Sequence, residues 1–436
     1  MKRFPFFLLI LAAMTTHAQK SLTLRECVDL LVKNNLNYRE SQIQTQSATA
    51  QWQQTKSQQL PQLGAGAGQN LNFGRSIDRF TNTYIDEVYN TNFVGASAQV
   101  ILFQGFQLRN QIQQGALLKD AALKNQEAIL NQQTIRLLQA YVQVLTTQAL
   151  WEAAQQQVAS SQQQVERVGK QVAAGTVGQN TLFEIKAQLS NDQFDAVTAR
   201  NNYQLARLSL FQLMNVAPDE SVVFQPIADA STLSKPDFLA ENVYEESAKF
   251  FPEIKSSELR LNSTDYQIKA IKANLLPSVS LSSNYGAFYA SSNSEPNYFK
   301  QLDATRNGSL QLGLNIPIMG RWQVRPRIAS AQAQRLLNEN QLNLTKQQLR
   351  QSIEQAILQL NATHDRYVAA QSQVESLKAN FGAAESRLAA GTANIFEYTL
   401  AKANLARAEA NAIRARYEYA LQHYIMDFYQ KGKWEL

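Results

Sequence analysis

Cysteine and histidine most readily supply nucleophiles and transition-metal ligands, and this chain has few of either. Its 436 residues include one cysteine, Cys27, and three histidines, His17, His364 and His423. One cysteine excludes an internal disulfide. His364 and His423 fall on long helical stretches with no ligand partner at helical spacing, so they read as surface or seam residues. No paired carboxylates and no nucleophile–base arrangement accompany them. No catalytic residue, metal or cofactor is therefore expected, and the chain is not read as an enzyme. The net charge is +6 without a dense Lys/Arg run. A nucleic-acid partner usually needs a concentrated basic patch, so none is expected.

The N-terminus sets the compartment. Lys2 and Arg3 precede an apolar stretch over 4–13, and Thr16-His17-Ala18 puts small residues at −3 and −1 before Gln19. This is the pattern of a secretory signal peptide, residues 1–18, cleaved after Ala18. Cys27 follows Arg25 and Glu26, well past the apolar segment, and is not a lipid-anchor cysteine. No apolar run of 18 residues follows, so no spanning helix is expected.

What remains is organised by repetition. Leu60-Pro61 recurs as Leu276-Pro277, Gly175-Thr176 as Gly391-Thr392, and Lys186-Ala187-Gln188-Leu189 as Lys402-Ala403-Asn404-Leu405, each 216 positions on. The mature chain thus reads as two copies, 19–215 and 237–436, joined by a proline-bearing linker over 216–236. Cys27 aligns by this offset with Val243, the place of a small packed residue.

Within a copy the order of elements is legible. Thr23-x-x-Glu26 has the spacing of a helix capping box, and a second helical stretch runs over 37–60 until Pro61. The period then changes from 3.6 to 2. Leu63, Ala65, Ala67 and Leu71 alternate with Gly64, Gly66, Gly68 and Asn70; Val94, Ala96, Ala98 and Val100 repeat the pattern. In copy two Val279, Leu281, Tyr285 and Ala287 alternate with serines, Asn284 and Gly286, and Leu310, Leu312, Leu314, Ile316 and Ile318 form the clearest strand. These predict strand hairpins over 62–103 and 278–318. A strand of about 10 residues crosses a bilayer when tilted. Phe73, Phe93, Tyr285, Phe288 and Tyr289 near the loop ends suit an interfacial girdle. The competing reading is a soluble hairpin with one dry face.

Long helical hairpins follow, over 106–215 and 321–430. Glycine is about 4% and proline about 2% of the chain, below the usual ~7% and ~5%. A helix of some 67 residues extends roughly 100 Å. Ala154, Val158, Ser161, Val165, Val168 and Val172 are spaced 4-3-4-3-4, and Ala370 through Leu388 keep that spacing 216 positions on. The return helix keeps the seam through Leu182, Ile185 and Leu189, with Asp192 interrupting. These are antiparallel coiled-coil hairpins.

Four membrane-type strands per chain cannot stay open in lipid, and known barrels begin at about eight strands. The barrel must be shared between chains. Helices polar away from their seam form a wall wet on both faces, which is a conduit. Trp322, beside Arg321 and Arg325 where copy two leaves the strands, is a candidate membrane-interface anchor. Arg109 matches Arg325 at the same offset, a repeated structural role at this junction.

At this point the chain resembles the outer membrane efflux protein (TolC-like) family over its whole mature length. Leu22-Thr23-Leu24-Arg25-Glu26-Cys27-Val28 looks like the family's L-T-L-x-E-A-V with Cys27 for Ala. The two Leu-Pro pairs look like its strand entries, Leu102-Phe103-Gln104-Gly105 its strand-to-helix junction, and Val172–Thr176 and Leu388–Thr392 its helix-hairpin tips. The resemblance implies a mainly α protein with transmembrane β: a tandem-duplicated protomer of a homotrimer, with a 12-stranded outer-membrane barrel and a long periplasmic coiled-coil barrel. The linker then belongs to an equatorial belt. It implies an export duct in the bacterial outer membrane. The partners implied are a periplasmic adaptor (membrane fusion) protein and an inner-membrane pump of RND or ABC type. By the same resemblance Gly175, Thr176, Gly391 and Thr392 mark adaptor-facing tips; a tight helix–helix turn that needs glycine explains them equally. The family often carries carboxylates six residues past the tip glycine. Those positions are Thr181 and Glu397 here, so only copy two keeps the acid; Glu397 and Glu184 are periplasmic aperture candidates. A helix-start glutamate answering the helix dipole is the competing reading of Glu397. A periplasmic coiled-coil scaffold or adaptor is the alternative function.

Overall fold

In a computed structural model the protein is described over residues 21–78, 82–227, 238–293, 295, 297–390, 392 and 394–434. The expected signal peptide, Gly391 and residues 228–236 of the linker lie outside the described residues. The chain divides into two compact units. One draws on Met1–Arg39, Ile129–Lys249 and Leu349–Leu436, the other on Glu40–Ala128 and Phe250–Gln348. Each unit therefore takes segments from both sequence copies.

The first unit begins with β1 (Ser21–Leu22) and α1 (Leu24–Asn34). The capping box forms as the spacing predicts: Glu26 N donates to Thr23 Oγ1 at 3.2 Å, and Thr23 N donates to Glu26 Oε2 at 2.8 Å. α3 (Gln107–Ala173) contributes its later part, and α4 (Gln179–Met214) follows. The linker supplies one short strand, β6 (Val223–Phe224), parallel to β1. The Tyr141 hydroxyl lies 3.1 Å from Leu22 O and 2.7 Å from Gln225 O, and its ring packs edge-on against Phe224. Burial raises the Tyr141 phenol and carries the Cys27 thiol up to about 12. Cys27 is fully buried, the packed position its alignment with Val243 implied. α5 (Ala240–Phe250), the distal part of α8 (Arg321–Ala389) and α9 (Ile395–Lys431) complete this unit.

The helical seam is occupied where the heptads place it. Val168, Ile185 and Tyr398 are buried together, flanked by Val165, Val172, Leu182, Phe381, Leu388 and Ile395. Four helices, α3, α4, α8 and α9, thus share one apolar cluster near their tips. Such burial is worth roughly 2 kcal/mol per fully buried aliphatic side chain.

The second unit contains α2 (Leu36–Ser57) from Glu40 on, and α6 (Pro252–Ala273). Both lean on the early part of α3. Thr45 Oγ1 donates to Ala122 O at 3.3 Å, and Ser256 Oγ to Ala121 O at 2.9 Å. Four strands form the sheet: β2 (Gln62–Asn72), β5 (Tyr89–Gln104), β7 (Ser278–Ala290) and β8 (Asn307–Asn315), in the order β2-β5-β7-β8, all antiparallel. The two copies therefore meet through β5 and β7, an adjacency the sequence did not reveal. β2 and β8 are the edges, and the sheet is open. A bulge between Ile101 and Phe103 shifts the β5 register.

Two details depart from the sequence expectation. β8 ends at Asn315, so Ile316 and Ile318 continue the alternation outside the strand. The loop between β7 and β8 holds a helix, α7 (Tyr298–Thr305). Its apolar content is too small for periodicity to reveal it. α7 caps the end of β7 where β8 no longer reaches: Phe288 N donates to Thr305 Oγ1 at 2.9 Å and Ala290 N to Gln301 Oε1 at 3.1 Å. At the same end of the sheet, the loop between β2 and β5 carries the small hairpin β3 (Arg75–Ile77) and β4 (Tyr84–Asp86).

Candidate functional site

The sheet has two chemically distinct faces. Directly paired residues share a face, and the register places Leu63, Ala65, Ala67, Val94, Ala96, Ala98, Leu281, Tyr285, Leu310, Leu312 and Leu314 together. Leu63 is 82% exposed and Leu310 is 73% exposed; aliphatic side chains this open in one chain suit contact with lipid. The opposite face carries Gly64, Gly66, Ser97, Gln99, Ser280, Ser282, Asn284, Ser309 and Gln311. None of the residues in these four strands is charged. The alternation arises because the strand period is 2.

The junction from strand to long helix is tightly determined. Gly105 has φ +55° and Phe106 φ +64°. A Cβ at Gly105 would stand 2.8 Å from Ala273 O, so this turn admits only glycine. At the start of α8, Ile318, Met319 and Trp322 are 90%, 81% and 79% exposed. Trp322 is thus open, as an anchor must be.

At the tips both threonines do the same work. Thr176 N and Oγ1 lie 3.0 and 2.9 Å from Gln171 O; Thr392 N and Oγ1 lie 2.9 and 3.1 Å from Arg387 O. Each closes the last helical turn, and Gly175 takes φ +73°. Turn geometry therefore accounts for Gly175, Thr176 and Thr392 without a partner. Gly391 lies outside the described residues.

Glu397 sits in the first turn of α9. Its N–H donates to Asn394 Oδ1 at 2.9 Å, and its carboxylate meets Arg387 Nη2 at 2.6 Å. The equivalents in copy one are Gly178, Thr181 and Gln171. Gly178 offers no side-chain cap. Copy two thus has a cap, an acid and its cation where copy one has none of them, and Arg387 neutralises the charge that an anionic ring would need. Glu184 is exposed on α4.

Sequence reasoning missed one cluster. Asp192 and Lys402 are 6% and 3% exposed, and Lys402 Nζ lies 3.1 Å from Asp192 Oδ2. Ser161 Oγ bonds to both, and Gln188 Nε2 donates to Asp192 Oδ1 at 2.8 Å. The signal available was Asp192 itself, a charge interrupting an apolar seam. Close by, burial next to the Glu385 charge carries Tyr398 up to about 12.

The sequence matches the family model described as outer membrane efflux protein over residues 27–216 and 243–423. The chain belongs to the outer membrane efflux protein family. It is similar to the outer membrane efflux protein BepC of Brucella suis biovar 1, at 22% identity over 275 residues. That match covers 62% of this chain and 57% of BepC, so it spans little more than half of that curated relative. The fold is shared with solved channels. CusC aligns with TM-score 0.79 at 16% identity, covering 93% of this chain and 91% of CusC. The Campylobacter jejuni CmeC outer membrane channel aligns with TM-score 0.79 at 18% identity, covering 94% and 85%.

This efflux protein is accordingly an outer-membrane protein with TolC-like architecture and a periplasmic helical part. The aliphatic face of β2, β5, β7 and β8 suits contact with lipid, and the opposite face is polar and uncharged. The second matched segment begins 216 positions after the first, the offset read from the landmarks.

Proposed function

We propose that this efflux protein is the passive export duct of a tripartite system, assembled as a homotrimer. The open four-stranded sheet carries this reading. Its edges β2 and β8 hold backbone groups that hydrocarbon cannot satisfy, at several kcal/mol each. Pairing β8 of one chain with β2 of the next closes the sheet, and three chains give the twelve strands that the family resemblance implies. The two repeats, 19–215 and 237–436, then alternate around the ring, and solutes pass from the periplasmic helical end to the exterior. The tips at Gly175, Thr176, Gly391 and Thr392 face a periplasmic adaptor (membrane fusion) protein. That adaptor couples the duct to an inner-membrane pump of RND or ABC type. Glu397 and Glu184 border the periplasmic aperture, with Glu397 held by Arg387, and Trp322 anchors the inner rim of the membrane.

Detergent extraction from outer membranes, mass measurement of the purified species and planar-bilayer recording test this reading. A trimer with discrete conductance steps is expected. Cysteines placed on β2 and β8 (Ala65→Cys, Leu312→Cys and their strand neighbours, with Cys27→Ser) should cross-link between chains. A water-soluble monomer without conductance would overturn the duct and favour the scaffold alternative.

A further inference from the structure

The face that lines the proposed barrel is polar or side-chain-free almost throughout, yet it carries a pair of phenylalanines. Phe93 on β5 and Phe288 on β7 are direct register partners, on the face opposite Val94 and Ala287. Tyr89 shares this face further out, but it is buried and its hydroxyl is 2.8 Å from Ser76 Oγ. Phe93 remains 51% exposed. Both rings border one shallow cavity of about 560 Å³. Its floor is glycine: Gly66, Gly95 and Gly286 are register partners across three strands. Ser97, Asn284 and Asn307 supply hydrogen-bonding groups at its margin.

We propose that Phe93, Phe288 and this glycine floor form a wall site that holds a planar aromatic solute in transit near the outer mouth. The site combines what small-molecule sites usually combine, an apolar concave surface with a few polar groups. Glycine lets a flat ring lie against the backbone beside the phenylalanines. The surrounding strands carry no charge, so stacking of a solute's ring against the phenylalanines, rather than an ion pair, is what retains it here. Phe93 also rests over Gly68, where a Cβ would fall 2.4 Å from its Cε1. That contact seats the ring against the backbone of β2, and half of the side chain stays exposed.

The inference rests on the duct reading, and one experiment separates the two. Currents through the full-length protein in planar bilayers are recorded with benzyltrimethylammonium or tetramethylammonium, which differ by a phenyl ring. The wild type should show current interruption by the phenyl compound alone. Phe93→Ser with Phe288→Ser should weaken that interruption by about fivefold or more, leaving potassium conductance and the heat stability of the oligomer close to wild type. Phe93→Tyr with Phe288→Tyr should restore it. Equal interruption in the serine variant, or a loss that appears only together with oligomer dissociation, would overturn the wall site while leaving the duct standing. Absence of any conductance in the wild type would overturn the duct.

Discussion

Asp192 tests how a charge is kept inside a coiled-coil seam. Its carboxylate accepts from Lys402 Nζ at 3.1 Å and Gln188 Nε2 at 2.8 Å, and from Ser161. At an effective dielectric of about 20, charges at this separation attract by about 5 kcal/mol. The attraction is largely offset by desolvating both ions. Removing one partner is a different matter. Asp192→Ala leaves an ammonium 3% exposed with only a hydroxyl for company, and such a change costs about 3–5 kcal/mol. The second repeat shows how to repair it. The position of Asp192 is held there by Ala408 and that of Ser161 by Leu377. Ser161→Leu, Asp192→Ala and Lys402→Met together convert the site to an apolar seam and should return stability to within about 1 kcal/mol of wild type. Guanidinium unfolding in detergent, followed by helical circular dichroism, measures both variants. The reasoning fails if Asp192→Ala lies within about 1 kcal/mol of wild type. It fails equally if the triple variant is no more stable than the single one.

Three further outcomes are expected. The Cys27 thiol, carried up to about 12 by burial, should resist Ellman's reagent at pH 8 until the protein is unfolded. Because its folded pKa lies above the unfolded value, the stabilisation from keeping it protonated is complete below pH ~8.5 and is lost as pH rises toward 12; alkaline unfolding midpoints of Cys27→Ala and wild type measure this. At the tip of copy two, Arg387→Gln should shift the reversal potential in a salt gradient toward cation preference, and Glu397→Gln toward anion preference. No change in either variant would remove this ion pair from the aperture. Thr176→Val and Thr392→Val each delete a hydroxyl that reinforces the last turn. Amide exchange at the tips should quicken several-fold, matching about 0.5–1.5 kcal/mol per hydrogen bond, with the helices above unaffected.

The elements were legible because each rests on a local pattern. A breaker-poor heptad run specifies α3 and α8, alternation with period 2 specifies β2, β5, β7 and β8, and Thr23-x-x-Glu26 specifies the start of α1. What was not legible depends on distant residues. Lys402 looked like part of a repeated landmark, and its copy-one equivalent Lys186 is exposed as a helix-surface lysine should be. Only the packing of α9 against α3 and α4 buries Lys402. Arg387 had no visible link to Glu397 because the hairpin tip, rather than helical spacing, brings them together. The two phenylalanines were grouped with the girdle for their nearness to the loops, although strand parity already sets Phe93 opposite Val94 and Phe288 opposite Ala287. The cross-strand register placed them on the other face.

The two repeats have diverged in a way that bears on assembly. Copy two reinforces its own hairpin, through the Asn394 cap and the Arg387–Glu397 pair. Copy one has Gly178, Thr181 and Gln171 at those positions, and is held instead through Ser161 and Asp192 to Lys402 of copy two. In a closed ring of three chains the hairpins of copies one and two alternate, so contacts within and between chains occupy equivalent places. At the equivalent place between chains of that proposed ring, Lys186 would meet the positions of Leu377 and Ala408, which supply no carboxylate. In the proposed ring, seams within chains would carry the buried ion pair and seams between chains would lack one. Such a ring has three-fold and not six-fold energetics, and the seam between chains is the one with less to lose on separating.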